Sequence, residues 1–355
     1  MEKYIHLFET NAEFEQAYNS NKYKEPWLSY TKETGKISLN KLYNTIPLTV
    51  EVLSSGDITW HLAQDMSIQY SKNKGPWTDL TKYTIVPVVE GDEVQIKGNY
   101  SKYFAPWGNS YVFNCTARFN LKGNVMSLIG GDEFGSVNAL TETNALHGIF
   151  YNNPTLISAE KLVLPATVLT DGCYGDMFRD CTSLVYPPAI LPATVLAEDC
   201  YSGMFANCTS LKVAPKLPAT TLADNCYTAM FRDCTSLEIA PELPATELAF
   251  RCYGNAGNWP GADRGMFYGC TSLVKAPELP ATVLADYCYE GMFGNCTSLN
   301  YVKALFINAP GNSVGSWLSG VAAEGTFVKN PEAVWGESDS VGIPSGWTIK
   351  TTDDE

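Results

Sequence analysis

Cysteine is the most reactive side chain in this sequence, and it recurs at regular intervals. Ten of the eleven cysteines fall in five pairs: Cys173 and Cys181, Cys200 and Cys208, Cys226 and Cys234, Cys252 and Cys270, and Cys288 and Cys296. Thiols repeated this way have three uses: metal ligation, disulfide bonding, or burial as small apolar groups. A zinc site wants C-x2–4-C pairs converging from two places. Here four of the pairs have seven residues between their members, and no histidine flanks them. A disulfide needs its two Cβ atoms about 3.5–4.5 Å apart, too close for thiols at the two ends of a short helical segment. Burial as inert, stacked thiols fits the spacing best. The sequence therefore predicts no metal and no cofactor. Cys115 stands outside the pairs and reads as a buried strand residue.

Other catalytic constellations are missing. The histidines are His6, His61 and His147, and none sits in an H-E-x-x-H string. There is no G-x-S-x-G elbow and no phosphate-binding P-loop. Acidic neighbours such as Glu198-Asp199 and Asp132-Glu133 carry no motif of a glycosidase pair. Asp171, Asp180, Asp224, Asp233 and Asp286 read as solvated loop residues or caps. No enzymatic activity is expected.

The elements that position the cysteines form a repeat. One phrase recurs from Leu164: LPAT-x-L-x-x-x-CY-x-x-MF-x-x-CTSL. The LPAT strings begin at Leu164, Leu191, Leu217, Leu243 and Leu279, at spacings of 27, 26, 26 and 36 residues. The last spacing is one period plus ten inserted residues between Tyr253 and Met266. A degenerate copy, Ile149 to Leu156, precedes the series as an N-terminal cap. A single unit of this size cannot bury its own apolar face, whereas stacked units share a continuous core. The predicted repeat core includes Cys173, Met177, Phe178, Cys181 and Leu184, then Cys200, Met204, Phe205, Cys208 and Leu211. Apolar residues at i, i+1, i+4 and i+5 in Cys-Tyr-x-x-Met-Phe predict a short helical or 3-10 segment. The proline-bounded stretch after CTSL, as in Glu238 to Pro244, predicts one short strand per coil. Coils about 4.8 Å apart would make a rod roughly 25–30 Å long from about six units.

This phrase resembles the BspA-like branch of leucine-rich repeats, in which an A-F-x-x-C-x-S-L string is followed by L-P. MF stands here for AF, while CTSL and LP match directly. The resemblance covers about residues 145–305 and departs from the commoner L-x-x-L-x-L-x-x-N-x-L consensus. The tail also resembles that group's endings, through Trp317 to Val321, Gly325 to Lys329 and Gly342 to Trp347. It implies a right-handed leucine-rich-repeat-like solenoid, and a surface adhesin or interaction protein of gut bacteria or their phages.

The first half is different. Residues 1–44 read as an arm with a short helix over Asn11 to Tyr18, followed by an extended Glu25 to Thr31. Residues 45–128 read as antiparallel β, with strands at Leu48–Leu53, Ile58–Leu62, Ser67–Tyr70, Ile85–Val89, Glu93–Lys97 and Tyr111–Leu121. Turns at Ser55-Gly56-Asp57, Lys74-Gly75-Pro76 and Glu90-Gly91-Asp92 separate them, which predicts a small β-sandwich. The predicted organisation is thus an arm (1–44), a β-sandwich (45–128), a solenoid (129–305) and a C-terminal cap (306–355). The fold class is mainly β with short helices. The layout resembles the β-domain that precedes such repeats, which implies attachment to a parent particle or surface.

Composition narrows the partners. The net charge is −14 and the pI about 4.7, so phosphate backbones and anionic membranes are repelled. No apolar run approaches the roughly 20 residues of a membrane span. Met1 to Glu9 lacks a signal-peptide core. Either a leader has been removed or the protein is made in the cytosol, as a phage structural protein would be. A protein or glycan on a cell or mucosal surface is the expected partner, and the N-terminal half could support a virion or homo-oligomeric assembly. Candidate contacts lie where the copies differ: Arg179, Arg232 and Tyr268 after MF, and Asn258, Trp259, Asp263 and Arg264 in the insertion. Trp259 reads either as an exposed contact or as a side chain folded onto its coil. Trp60, Tyr70, Trp77, Tyr103 and Trp107 read as a sugar-stacking platform, or else Trp60 and Tyr70 are core and Trp77 and Trp107 pack under loops.

Overall fold

Alternating apolar and polar residues build the first half. In β9 (Glu93–Gly98) Val94, Ile96 and Gly98 are buried and their neighbours are half-exposed; β11 (Phe119–Asn124) buries Phe119 and Leu121 in the same way. The structure is a computed structural model. It describes residues 6–8, 29–31, 36–38, 41–61, 67–81, 84–99, 113–254, 265–309, 312–333, 335 and 342–354, with backbone alone at 6–8, 29–31, 36–38 and 41–42. Among the described residues the chain is mainly β with a few short helices, and the sheets form no closed barrel.

In the arm, β1 (His6–Phe8), β2 (Ser29–Thr31) and β3 (Lys36–Ser38) form a three-stranded sheet. The extended reading holds at Ser29 to Thr31; the helix expected over Asn11 to Tyr18 lies outside the described residues. A one-turn helix, α1 (Lys41–Asn44), follows.

Two further sheets share one apolar core. The larger has the order β12-β11-β4-β9-β6-β7, built from β4 (Leu48–Val52), β6 (Ile68–Lys72), β7 (Thr78–Leu80), β9, β11 and β12 (Leu156–Val163). The smaller is β10-β5-β8, from β5 (Gly56–Trp60), β8 (Ile85–Val88) and β10 (Phe113–Cys115). The single strand expected over Tyr111 to Leu121 is therefore two strands in different sheets. The chain changes sheet at Thr116 to Arg118, where a Cβ on Gly56 would stand only 2.5 Å from the Ala117 nitrogen. β7 was not anticipated.

β12 lies beyond residue 129, yet it pairs in parallel with β11, and its Ser158 bridges Tyr186 of the first full repeat. The large sheet thus reaches the first full repeat, through an irregular β11–β12 register and one isolated bridge. Between β11 and β12 come α2 (Ser127–Gly130), a 3-10 turn (Gly131–Ser136) and the cap copy.

The repeats stack in register. Their phenylalanines form a ladder, Phe150, Phe178, Phe205, Phe231, Phe267 and Phe293, with neighbouring centroids 5.4–5.6 Å apart. Tyr174, Tyr201, Tyr227, Tyr253 and Tyr289 form a second ladder at 5.7–5.9 Å. All the predicted repeat-core residues are fully buried.

The expected helical segment is instead a ribbon of successive turns. In the first full copy the N–H groups of Cys173, Met177, Arg179 and Cys181 bond the carbonyl three residues back, at 3.1–3.3 Å. The intervening N–H groups of Gly172, Asp176, Phe178 and Asp180 reach the next copy, donating to Glu198, Ser202, Met204 and Ala206 carbonyls at 2.8–2.9 Å. This alternation requires residues with positive φ between right-handed ones, which no helix contains. The residue before the second cysteine column shows it best: Asn152, Asp180, Asn207, Asp233, Gly269, Asn295 and Gly320 all lie at φ 54–74°. Only Asn, Asp and Gly occupy that place, the residues that tolerate the left-handed region most cheaply.

The strand expected after each CTSL is reduced to isolated parallel bridges, such as Val213 to Ile239 and Lys275 to Tyr301. Prolines such as Pro215, Pro241 and Pro277 have no N–H with which to extend a ladder. Among the described residues continuous pairing returns at the end, in the parallel sheet β13 (Tyr301–Ala304), β14 (Gly325–Lys329) and β15 (Trp347–Thr351). There three indoles each donate to a carbonyl: Trp317 to Gly342, Trp335 to Phe306 and Trp347 to Ala322, at 3.3, 3.1 and 2.8 Å.

The ten-residue insertion leaves this scheme intact. The Met266 N–H donates to the Tyr253 carbonyl at 2.9 Å, the same bond that Met204 makes to Tyr201 and Met292 to Tyr289.

Candidate interaction surface

Arg179 and Arg232 occupy the same place two copies apart, both partly buried, with the buried Ala206 at that place in the copy between. Both are engaged with carboxylates of their own chain. Arg179 Nη1 donates to Asp176 Oδ1 at 3.5 Å, and its Nε lies 3.7 Å from Asp180 Oδ2. Asp180 in turn accepts the Asn207 amide at 2.6 Å. Arg232 Nε lies 3.4 Å from Asp233 Oδ2. Tyr268 accepts the Asn295 amide on its hydroxyl at 2.5 Å. His147 Nε2 stands 4.0 Å from Asp176 Oδ2. Burial raises the Asp176 carboxyl, against the pull of Arg179 and His147, and lowers the His147 imidazole. The acidic edge is partly self-repelling: burial, with Glu198, Asp171 and Asp224 nearby, raises Asp199.

Asn258, Trp259, Asp263 and Arg264 lie outside the described residues, as do Tyr103 and Trp107. The five-aromatic platform fails on Trp60, which is 1% exposed and packs edge-on to Phe113 at 5.2 Å. Trp77 is half-buried under the Lys97 ammonium, 4.4 Å from its ring.

A different row faces outward. Two residues after the leucine of each CTSL come Tyr186, Val213, Ile239, Lys275 and Tyr301, with Ser158 in β12 at the head. Tyr186 is 42% exposed and Ile239 63%. Lys275 sits 4.7 Å over the Tyr301 ring. Alongside, Lys303 pairs with Glu278 at 3.6 Å. The row carries aromatic, aliphatic and cationic groups on a scaffold whose buried residues are nearly the same from copy to copy. Sequence reasoning passed over it because prolines interrupt the alternation that marks a strand. The available signal was that five copies carry four residue types at this position, with tyrosine at both ends, while the leucine two places before never changes.

All eleven cysteines are free and buried. In the second column each Sγ–H donates to the phenylalanine carbonyl one copy back: Cys181 to Phe150, Cys208 to Phe178, Cys234 to Phe205, Cys270 to Phe231 and Cys296 to Phe267, at 3.0–3.1 Å. Burial pushes the Cys173, Cys181 and Cys296 thiols up to about 12. Among the described residues no group of three or more His, Cys, Asp or Glu side chains is placed to hold a metal ion. Among them, too, no helix is long and apolar enough to cross a membrane.

No family model, no curated protein and no solved structure matches this chain.

Proposed function

We propose that this chain is a non-catalytic recognition protein, a right-handed BspA-like leucine-rich-repeat solenoid carried behind a β-sandwich. It binds a protein or glycan through its outward row while the N-terminal half serves as anchor. The reading places it on a cell surface or a phage virion, with a gut bacterium or its phage as source. One observation carries it: buried positions repeat almost without change, while one outward position, exposed or half-exposed, runs from Tyr186 through Val213, Ile239 and Lys275 to Tyr301. Core packing alone gives no reason for that contrast, and repeat arrays recognise ligands along such extended faces.

The test is binding of the labelled full chain to intact gut anaerobe cells and to a glycan array. Ile239→Asp and Tyr186→Ala should abolish binding with the melting temperature unchanged, and Trp259→Ala should not. Loss with Trp259→Ala alone would move the site to the insertion.

A second reading is a structural component, such as a fibre, spacer or capsid decoration, with no ligand of its own. It is favoured by the pairing of β11 with β12 and the bridge from Ser158 to Tyr186, which tie the first half to the repeats. No binding to either panel, together with a symmetric oligomer in solution, would make it the better account.

A further inference from the structure

We infer that the two cysteine columns make assembly of the stack a redox checkpoint: the chain folds only with its repeat thiols reduced, and the folded stack then shields them from oxidants. This is independent of what the surface binds.

The geometry has three parts. First, each phenylalanine carbonyl of the middle copies accepts two donors, as Phe178 does from the Cys181 N–H and from the Cys208 thiol, both at 3.1 Å. A thiol that has lost its hydrogen cannot donate, and any added sulfur substituent would have to occupy closely packed core. Second, all eleven cysteines are free in the folded chain, so the stack forms with neither column bridged. Third, Cys173, Cys181, Cys200, Cys208, Cys226, Cys234, Cys252, Cys270, Cys288 and Cys296 are all 0% exposed, so no oxidant reaches them in the folded state.

The unfolded chain has no such protection. Its cysteines eight positions apart close short loops easily. With a low-molecular-weight disulfide such as oxidised glutathione, one protein thiolate attacks a glutathione sulfur and expels one glutathione thiolate. A second protein thiolate then displaces the other glutathione. Two protein thiols lose two electrons and two protons, and one glutathione disulfide becomes two thiols. The product links residues that the folded stack leaves unlinked.

The test uses the intact chain. Denatured, reduced protein is treated with methyl methanethiosulfonate, which transfers a methylthio group to each thiolate and releases methanesulfinate. On dilution it should stay unfolded by near-ultraviolet circular dichroism, and recover the native spectrum when dithiothreitol removes the groups. In parallel, native protein held with oxidised glutathione should keep all eleven thiols, titratable only after denaturant is added. Recovery of the native spectrum by the blocked chain would overturn the inference. So would prompt reaction of thiols in the native protein.

Discussion

The side chain of Asn153 accepts the Cys115 N–H at 3.1 Å, and its own amide donates to the Phe113 carbonyl at 3.0 Å. Asn153 occupies the place that a cysteine holds in every full copy. There it ties the smaller sheet to the first coil, and the Phe113 ring meets the Phe150 ring edge-on at 5.5 Å. The sheets therefore close the open end of the stack.

Removing that tie should be costly. Each buried partner left unpaired costs about 1–3 kcal/mol, so Asn153→Ala should lower stability by several such increments in denaturant titration. For the same reason, a fragment beginning at residue 129 should lack β4 to β11 and expose Phe150. It should aggregate or show no cooperative transition, where the full chain shows one.

Mid-stack rings should matter more than terminal ones. Phe205→Ala empties a site packed on both faces and should cost about 3–5 kcal/mol. Phe293→Ala, next to the tilted Trp317 ring, should cost less by urea midpoint.

The left-handed column gives a conformational test. Asn207 lies at φ 61°, so Asn207→Gly should be close to neutral apart from the lost bond to Asp180. Asn207→Val should cost a further 1–2 kcal/mol or so, read as a difference in thermal midpoints. Gly269→Ala should also destabilise, because its Cβ would come within 2.3 Å of an Asp233 carboxylate oxygen.

Two carboxylates should titrate with opposite sign. Hydrogen bonds from Lys72, Asn73 and the Val89 N–H hold Asp92 at about 2. Its contribution is complete above its unfolded value of about 3.9, and is lost as pH falls through 2. Burial raises Asp176 instead. Its contribution is complete below the unfolded value and declines as pH rises through the raised one. Denaturant midpoints against pH should therefore show Asp92→Asn destabilising at pH 7 but not below pH 2. Asp176→Asn should be neutral or stabilising at pH 7.

Much of the stack was legible because identical side chains recur at fixed intervals, and only stacking buries all of them. Cys173, Phe178 and Leu184 are buried as their spacing required. The ribbon was misread because apolar residues at i, i+1, i+4 and i+5 satisfy a helix and a turn ribbon equally. The discriminating signal was the Asn, Asp or Gly before each second cysteine, which is useless to a helix and necessary at positive φ. The aspartates that face Arg179 and Arg232 were not legible as their partners, because the copies differ at the arginine positions. Tyr186 and Ile239 went unnoticed because the extended segment holding them is too short, and too rich in proline, to alternate like a strand.

The bond from Met266 to Tyr253 closes over ten extra residues as readily as its counterparts close over two. That makes the base of each Tyr–Met turn a splice point. New sequence can enter one coil there without renegotiating the packing of its neighbours, so the array can gain an epitope, a tag or a new specificity locally. Its rigid interior and its capacity to diversify are thus separable properties, and selection or an engineer can change one while leaving the other alone.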